Sequence, residues 1–553
     1  MGKIKTVQSN SKPARVRDEY SVMSWLTAAW VMGILVFMPI FTRNAYADVL
    51  TTKYGACLVI DGILVVGFVI WALIARRPGK YFAKMKSYAN PETGKWFWNW
   101  AKASFSLLDV FVLAFLIITI ISTLQANPYM YQAFFGNEGR WNGALIFILY
   151  ALTYFIVSRY YKFQNWHITV FLIIFLYMSV WAITDYFQMD ILSFKRGISE
   201  EHYAIFVSSI GNIDTYCGVA MIPFAFAGIM FIQSEEKLWK IIFYWVCFFT
   251  AMVSMITSAA DNAYLSFFAF YAFAPFVALK TRRGLRRYLV TLASFVTAIE
   301  LVIFWNARFG EDVVKPEGVI SICENIPQLK YLMIALWVIV VLVYVYDLIV
   351  KKVDIKTPAP RILSKIWLVF IIVGFVTMAA LFIMANKADP YIPSFLEPAK
   401  EYLVFSDAWG TWRGIVWRKI MELYNDFPFI RKMFGSGPET IGIYVYNNFF
   451  EEIAKESGLM FDSPHNELLQ MFTNIGLLGL ISYLGIYITP SVMAAKRVLK
   501  KCYPILAAVA IVCICHLFES FVNIVVPMDI PVIFGLIAIA SGLYRKSANE
   551  VEE

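Results

Sequence analysis

His465 stands directly before an apolar run and is one of the residues of this chain best suited to chemistry. Its context is Ser463-Pro464-His465-Asn466-Glu467. Ser followed by Pro is typical of a helix start, so we expect Ser463 as N-cap and Pro464 at the first helical position. His465 would then lie in the first turn, where the helix dipole favours a neutral imidazole that can accept a proton. An interfacial histidine without a chemical role is the alternative interpretation.

Arg413 is a second candidate, and it lies in the segment Trp409–Asp426, whose apolar residues recur with helical spacing. At about 100° per residue, Arg413 falls between Ile420 and Tyr424 on the apolar face. A guanidinium there needs an anionic partner, because an unpaired buried charge is costly. Arginine is suited to bidentate phosphate contacts, whereas snorkelling or a structural ion pair with an acid such as Asp407 is the alternative.

Arg140 begins the string Arg140-Trp141-Asn142 at the entrance of another apolar run. It could contact an anionic substrate or serve as an interface anchor. Ionisable and polar residues at the ends of apolar runs are functional hypotheses by default. Those singled out here are Asn212, Asp214, Asp261, Asn262, His516 and Glu519.

Two of these candidates and one glycine-rich string have structural alternatives. His516 and Glu519 lie three residues apart on one helical face and could simply pair with each other. The glycines of FGSGPET, residues 434–440, could cradle a phosphate, but so short a pattern favours a tight turn.

The elements that carry these residues follow from composition. Hydrophobic residues make up 60% of the 553 positions and charged residues 16%, with a mean hydropathy of +0.63. Soluble domains carry roughly 25% charged residues, so this composition excludes a soluble globular protein.

Apolar runs long enough to cross a bilayer recur along the whole chain. A crossing helix needs about 20 predominantly apolar residues. The sequence therefore predicts an all-α polytopic integral membrane protein with about 14 transmembrane helices and one long extracytoplasmic loop containing helices. The runs lie near 24–42, 56–75, 103–123, 142–158, 167–186, 215–232, 239–257, 262–279, 288–306, 330–349, 365–386, 467–489, 504–522 and 529–544.

Orientation and domain organisation follow from the distribution of Lys and Arg. Most of them fall in alternate loops, which predicts that both termini are cytoplasmic. The basic residues of those loops include Arg76, Arg77, Lys80, Lys84, Lys86, Arg282, Arg283, Arg286 and Arg287. The predicted organisation is a cytoplasmic basic tail (1–23), transmembrane helices 1–11 (24–386), an extracytoplasmic loop (387–464), transmembrane helices 12–14 (465–545) and a cytoplasmic tail (546–553).

Net charge and cysteine spacing limit the kinds of partner and ligand that the sequence predicts. The net charge of +9 is spread over many short loops, which indicates contact with anionic membrane lipid and no nucleic acid. The seven cysteines have neither a disulfide framework nor the spacing of a metal site. We therefore expect no metal and no cofactor.

Several strings together resemble the O-antigen ligase and O-antigen polymerase superfamily over roughly residues 120–545. The most specific is HNELLQ at 465–470, followed by NIGLLG at 474–479. The supporting pieces are Arg140 with Asn142-Gly143, GNIDTYCGVAMIPFA at 211–225, Arg413 with Trp417, and FGSGPET at 434–440. This chain has Asp261-Asn262 where many members carry an arginine, which places the role of that arginine in doubt.

The resemblance implies a metal-independent glycosyltransferase of the bacterial plasma membrane with an extracytoplasmic active face. Its donor would be a polyprenyl-pyrophosphate-linked glycan, and its acceptor a glycan, a lipid or a wall polymer. His465 would activate the acceptor hydroxyl, and Arg140 and Arg413 would hold the pyrophosphate. The residues expected to support them are Asn212, Asp261, Asn466 and Glu519.

Two rival classes stay open at this point, and a structural scaffold is the least favoured alternative. A lipid or polysaccharide transporter would also have many spans, but it should show internal repeats and interrupted helices near the midplane. An enzyme of the peptidoglycan-polymerising type would need an essential acid in its outer loop, for which Asp389, Asp407 and Glu439 are available. A structural scaffold would give no reason to place Arg413 on an apolar helix face.

Overall fold

The computed structural model of the protein describes residues 21–75, 79, 96–353, 361–497, 503–524 and 526–552. These residues are mostly helical, and the only strands among them are β1 (Phe206–Val207) and β2 (Gly211–Asn212), which pair antiparallel. Most of the predicted basic tail lies outside the described residues, as do five of the basic loop residues: Arg76, Arg77, Lys80, Lys84 and Lys86.

The described residues of the N-terminal half form twelve α-helices. They are α1 (Ser21–Met32), α2 (Met38–Ile40), α3 (Val49–Ile74), α4 (Trp96–Ser104), α5 (Leu107–Leu124), α6 (Met130–Phe135), α7 (Ala144–Tyr160), α8 (Asn165–Tyr186), α9 (Ile213–Gln233), α10 (Leu238–Thr257), α11 (Asn262–Phe273) and α12 (Pro275–Ala278). A π-helical turn, Gly33–Phe37, joins α1 to α2, and a 3-10 helix, Glu200–Ile205, precedes β1.

The second half contains both long apolar helices and short connecting ones. They are α13 (Arg282–Phe309), α14 (Val319–Glu324), α15 (Leu329–Val353), α16 (Arg361–Ala385), α17 (Lys400–Leu403), α18 (Trp409–Asp426), α19 (Phe429–Phe434), α20 (Thr440–Ser457), α21 (Glu467–Asn474), α22 (Gly476–Lys496), α23 (Tyr503–Glu519) and α24 (Ile530–Glu552). Two 3-10 helices, Gly310–Asp312 and Ser394–Ala399, lie beside α13 and α17.

Eleven helices of the described residues are long and apolar enough to cross a membrane. They are Val22–Ile40, Val49–Ile74, Leu107–Leu124, Asn165–Tyr186, Ile213–Gln233, Leu238–Thr257, Arg282–Asp312, Leu329–Val350, Ile362–Ala385, Gly476–Lys496 and Ile530–Ser547. Three shorter apolar helices are Ala144–Tyr160, Asn262–Ala278 and Tyr503–Glu519. The prediction of an all-α polytopic membrane protein is confirmed at this level.

Helix α9 is the centre of the bundle and is almost completely buried. It packs against α10, α11, α13 and α23. Small residues permit the close approach, since a Cβ added at Gly228 would lie 2.7 Å from the Phe270 ring and 2.8 Å from the Phe248 ring. Because α9 is fixed on several sides, its N-terminal end is a rigid platform for the polar string at 211–216.

Helices α15 and α16 lie at the periphery and expose apolar side chains around most of their surface, as lipid-facing helices do. Helix α15 packs on α13. The ring of Phe375 on α16 contacts Phe268 of α11 and Phe518 of α23. Neither peripheral helix carries a predicted site residue, so the candidate chemistry is concentrated elsewhere.

The apolar run predicted at 467–489 is not one continuous helix. Helix α21 ends at Asn474, and α22 begins at Gly476, whose backbone is left-handed with φ +79°. A Cβ at Gly476 would lie 2.4 Å from the carbonyl oxygen of Met433, so only glycine fits this contact. The candidate span therefore begins at Gly476, because close packing breaks a helix that hydropathy alone shows as uninterrupted.

Candidate active site

The FGSGPET turn, residues 434–440, packs against the break between α21 and α22. The Ser436 N–H donates to Thr473 O at 3.1 Å, and the Gly437 N–H donates to Asn474 O at 2.9 Å. Gly435 has φ +86°, and a Cβ there would lie 2.1 Å from Asn474 O. These amides are used in packing, which favours the tight-turn interpretation over a phosphate cradle.

His465 precedes α21 instead of lying in its first turn. Asn466 is the N-cap, and its Oδ1 accepts a hydrogen bond from the Leu469 N–H at 2.9 Å. The prediction that Ser463 caps this helix is therefore wrong. An asparagine cap is as favourable as a serine cap, so the two were not separable by residue type. His465 itself has a left-handed backbone, with φ +46°.

The His465 imidazole is held in its neutral form. Burial lowers its pKa to about 4, and the positive charges of Arg140 and Arg413 act in the same direction, while Asp462 opposes them. Both arginines are therefore close enough to His465 to affect its protonation. A neutral imidazole can accept a proton at physiological pH.

Arg140 lies in the tight loop between α6 and α7. Its guanidinium forms an ion pair with Asp462, with Nη2 and Oδ1 2.6 Å apart. The loop is fixed by Asn137, whose Nδ2 donates to Glu439 O at 2.8 Å, and by the Trp141 ring, which stacks on Tyr54. These contacts place Arg140 between the FGSGPET turn and the residues just before α21.

Glu439 is a buried acid that lies between the same segments. Its Oε1 accepts a hydrogen bond from Gln470 Nε2 at 3.0 Å. Burial raises its pKa to about 7; the charge of Arg140 lowers it and that of Asp462 raises it. The sequence named Glu439 only as an acid that a peptidoglycan-polymerising enzyme could use, because its partners are distant along the chain.

Arg413 marks the regular start of α18. Residues 410–412 have positive φ angles, so the predicted helix over 409–426 is kinked before Arg413. The Arg413 side chain is 19% exposed, and its Nη2 lies 3.9 Å from Asp214 Oδ2. Burial lowers the pKa of the guanidinium, while Asp214 and Glu519 raise it.

The alternative partner considered for Arg413 was Asp407, and this pairing is wrong. Asp407 instead accepts two hydrogen bonds from Arg418, at 3.0 Å from Nε and 2.6 Å from Nη2. The kink at 410–412 changes the direction of the chain between Asp407 and Arg413. Arg418 points to the surface with 46% of its side chain exposed.

Four polar residues join the ends of α9, α11 and α23 beside Arg413. Asn262 Nδ2 donates to Asp214 O at 2.9 Å and to Glu519 Oε1 at 2.7 Å. Asn523 Nδ2 donates to Asp214 O at 3.0 Å and to Glu519 Oε1. The sequence missed Asn523, which lies in an irregular segment without a motif. Asn212 caps α9 through hydrogen bonds from the N–H groups of residues 214 and 215.

His516 and Asp261 have separate partners. The His516 ring stacks on Tyr487 at 4.8 Å, and its Nε2 lies 3.4 Å from the Tyr483 hydroxyl. Glu519 instead accepts the hydrogen bonds from Asn262 and Asn523 described above. His516 and Glu519 therefore belong to two separate networks and do not pair with each other. Asp261 accepts hydrogen bonds from the Val319 N–H at 2.9 Å and from the Tyr402 hydroxyl at 2.7 Å. It therefore connects the start of α11 to the short helices α14 and α17.

Comparison with known families bears on this arrangement. Residues 330–484 match the family model described as O-Antigen ligase. The resemblance to the O-antigen ligase superfamily is thereby confirmed. Comparison with curated proteins found no significant match. The O-antigen ligase domain, together with many apolar helices, indicates a multi-pass membrane protein with a ligase- or polymerase-type function in surface polysaccharide assembly.

The matched O-antigen ligase domain carries part of the candidate site. Arg413, Glu439 and His465 lie within it, while Arg140 and Glu519 lie on helices or loops outside it. The fold brings these parts together, since Arg140 and Arg413 both act on His465 and Glu519 acts on Arg413. The candidate site is thus built from the domain and from the surrounding bundle.

Proposed function

We propose that this protein transfers a glycan from a polyprenyl-pyrophosphate-linked donor to an acceptor hydroxyl on the extracytoplasmic side of the membrane. The proposal is supported by two contacts beside His465: the ion pair of Arg140 with Asp462, and the hydrogen bond from Trp417, on the same helix as Arg413, to Pro464 O. Two guanidinium groups suit the two phosphates of such a donor, and a neutral imidazole suits an acceptor hydroxyl.

The proposed topology supports this assignment. We propose that the three shorter apolar helices cross the membrane together with the eleven long ones, which makes fourteen spans. An even number of spans places both termini on the same side, and the positive-inside distribution of Lys and Arg assigns that side to the cytoplasm. The loop over 387–464 then lies outside, with His465 directly after it. A donor whose head group faces outward would meet Arg140, Arg413 and His465 from that side.

The proposed reaction is a direct displacement at the anomeric carbon. His465 accepts the proton of the acceptor hydroxyl as its oxygen bonds to that carbon. The bond between the anomeric carbon and the diphosphate oxygen breaks, and its electron pair leaves with polyprenyl diphosphate. Arg140 and Arg413 stabilise the charge on the leaving group, which is electrostatic catalysis by fixed donors. Attack from the opposite side inverts the anomeric configuration, and no metal takes part.

The supporting residues have positioning roles in this scheme. Asn466 fixes the start of α21 next to His465, while Glu519 and Asp214 hold the surroundings of Arg413. Asn212 and Asp261 anchor the ends of α9 and α11. The acceptor is the hydroxyl of another glycan, a lipid or a wall polymer.

The test measures the amounts of lipid-linked glycan and of mature surface glycan in cells that depend on a His465→Ala variant. We expect lipid-linked glycan to accumulate and mature surface glycan to fall, with expression matched by blot. His202→Ala is a matched control, because His202 is an exposed histidine bonded to Ser199 in another loop. Unchanged pools in the His465 variant would refute the proposal and favour a transporter. A catalytic dependence on a divalent metal, or a retained configuration, would refute the displacement scheme.

A further inference from the structure

Glu439 is a buried carboxyl group beside the candidate site that the displacement scheme does not use. Its side chain is held by Gln470, five residues after His465 on α21. Its backbone carbonyl is held by Asn137, three residues before Arg140. Glu439 therefore connects the segment of the proposed phosphate-binding arginine to the segment of the proposed base.

The backbone at Glu439 is also unusual. Its φ is +61°, a left-handed conformation that is sterically unfavourable for an L residue with a side chain. Strain of this kind persists only where the surrounding structure enforces it, and it is often found at functional sites. Here Gly437 on one side is packed against Ala126 and Ala133, and Thr440 on the other begins α20. The carboxyl group of Glu439 is buried and accepts its hydrogen bond from Gln470.

Two charged groups act on the Glu439 carboxyl: Arg140 and Asp462. Asp462 also forms the ion pair with Arg140, and its side chain is 58% exposed, whereas Glu439 is buried. Arg140 is thus paired with an exposed carboxylate and also interacts electrostatically with a buried acid. The charge of the buried acid determines how strongly Arg140 is neutralised by the protein before any substrate arrives.

We propose that Glu439 is a positioning residue that controls the availability of Arg140 for a diphosphate. As a neutral acid it leaves the guanidinium charge to the ligand, and as a carboxylate it competes with the ligand for that charge. This inference rests on the proposed function, because it takes a diphosphate as the group that Arg140 binds.

The pH at which this control operates follows from the environment of the acid. Burial raises the pKa of Glu439 to about 7, so the neutral form predominates below that pH and the carboxylate above it. A diphosphate esterified at both ends keeps its two negative charges throughout this range. The pKa of His465 is lowered to about 4, so that imidazole stays neutral as well. Diphosphate affinity should therefore fall as the pH rises through about 7.

The experiment measures binding of farnesyl-diphospho-N-acetylglucosamine to the full-length protein in nanodiscs between pH 6 and 8.5. If only the neutral form of Glu439 permits tight binding, the dissociation constant should rise about 30-fold over this interval for a pKa of about 7. Glu439→Gln, which cannot ionise, should show a change of less than about threefold. Glu397→Gln is the control, since Glu397 is an exposed acid paired with Lys400, and it should keep the unmodified profile.

A second variant covers the case in which Glu439→Gln does not fold. Gln470→Leu removes the hydrogen bond that helps to lower the pKa of Glu439. The midpoint of the affinity change should then move to higher pH. An unchanged midpoint, or an unchanged profile in Glu439→Gln, would overturn the positioning role. Absence of binding at every pH, or binding that survives loss of both Arg140 and Arg413, would instead overturn the proposed function.

Discussion

Replacement of Arg413 by lysine keeps the positive charge but removes the planar guanidinium, so it tests the two properties separately. The Arg413 side chain is only 19% exposed, and its nearest acid, Asp214, lies 3.9 Å away. At that distance the two charges attract each other, but the guanidinium does not make the short bidentate contact with the carboxylate that it can make at closer range. Its hydrogen-bonding capacity is therefore available to a ligand, and Arg413→Lys should lose part of it while the positive charge remains.

The size of the effect can be estimated from one lost hydrogen bond to a charged group. Such a bond contributes about 1.5–3 kcal/mol, which corresponds to a dissociation constant raised about 10- to 150-fold. Arg418→Lys is a matched control on the same helix. Arg418 is 46% exposed and binds Asp407, and a surface pair of this kind contributes at most about 1 kcal/mol to stability.

The assay is binding of the farnesyl-diphosphate sugar to both variants in nanodiscs, together with turnover of a polyprenyl-linked glycan. We expect weaker donor binding in Arg413→Lys and donor affinity within about twofold of the unmodified protein in Arg418→Lys. Equal effects in the two variants would refute the assignment, because they would show that position on the helix does not matter. Unchanged binding in Arg413→Lys would show that charge alone is sufficient.

Two further predictions concern the chemistry and the packing of the site. His465→Asn should reduce turnover about 10²- to 10⁴-fold, because it removes a general base, yet it should leave donor affinity nearly unchanged; asparagine tolerates the φ of +46° at this position. An equal loss of affinity in that variant would contradict a role in proton transfer. Gly435→Ala should lower the thermal unfolding temperature much more than Gly458→Ala: both have positive φ, but a Cβ meets Asn474 O at 2.1 Å at Gly435 and open space at Gly458. A comparable loss in both variants would contradict the tight docking of the FGSGPET turn.

Hydropathy alone located the long apolar helices. A helix buried in lipid or in the bundle needs a long apolar run, and this requirement does not depend on which segments pack against it. Hydropathy did not show where such runs break. Gly476 interrupts the run at 467–489, and the left-handed residues 410–412 kink the helix predicted over 409–426 just before Arg413. A single left-handed residue leaves the mean hydropathy of a segment unchanged, so these breaks depend on contacts between distant segments.

The candidate residues were found by residue type and motif, whereas their partners were not. Asp407 was the structural alternative for Arg413 in the sequence, yet the kink gives Arg413 Asp214 as a partner. A mutual pair with His516 was the structural alternative for Glu519, yet Glu519 accepts hydrogen bonds from Asn262 and Asn523. Partners separated by hundreds of positions are determined by how helices pack, and one sequence contains no direct signal for them.

The short segment from 464 to 476 explains how two arginines from distant parts of the chain act on one histidine. At its start, Trp417 of α18 donates to Pro464 O at 2.7 Å, and the Glu467 N–H donates to the carbonyls of Ser520 and Asn523 at the end of α23. At its end, residues 473–476 are fastened to the FGSGPET turn and to the Ser122 hydroxyl. The first set of contacts joins His465 to the surroundings of Arg413, and the second joins it to those of Arg140. A continuous helix through 467–489 would lack the bend that permits both, so the break at Gly476 is a condition for assembling the site.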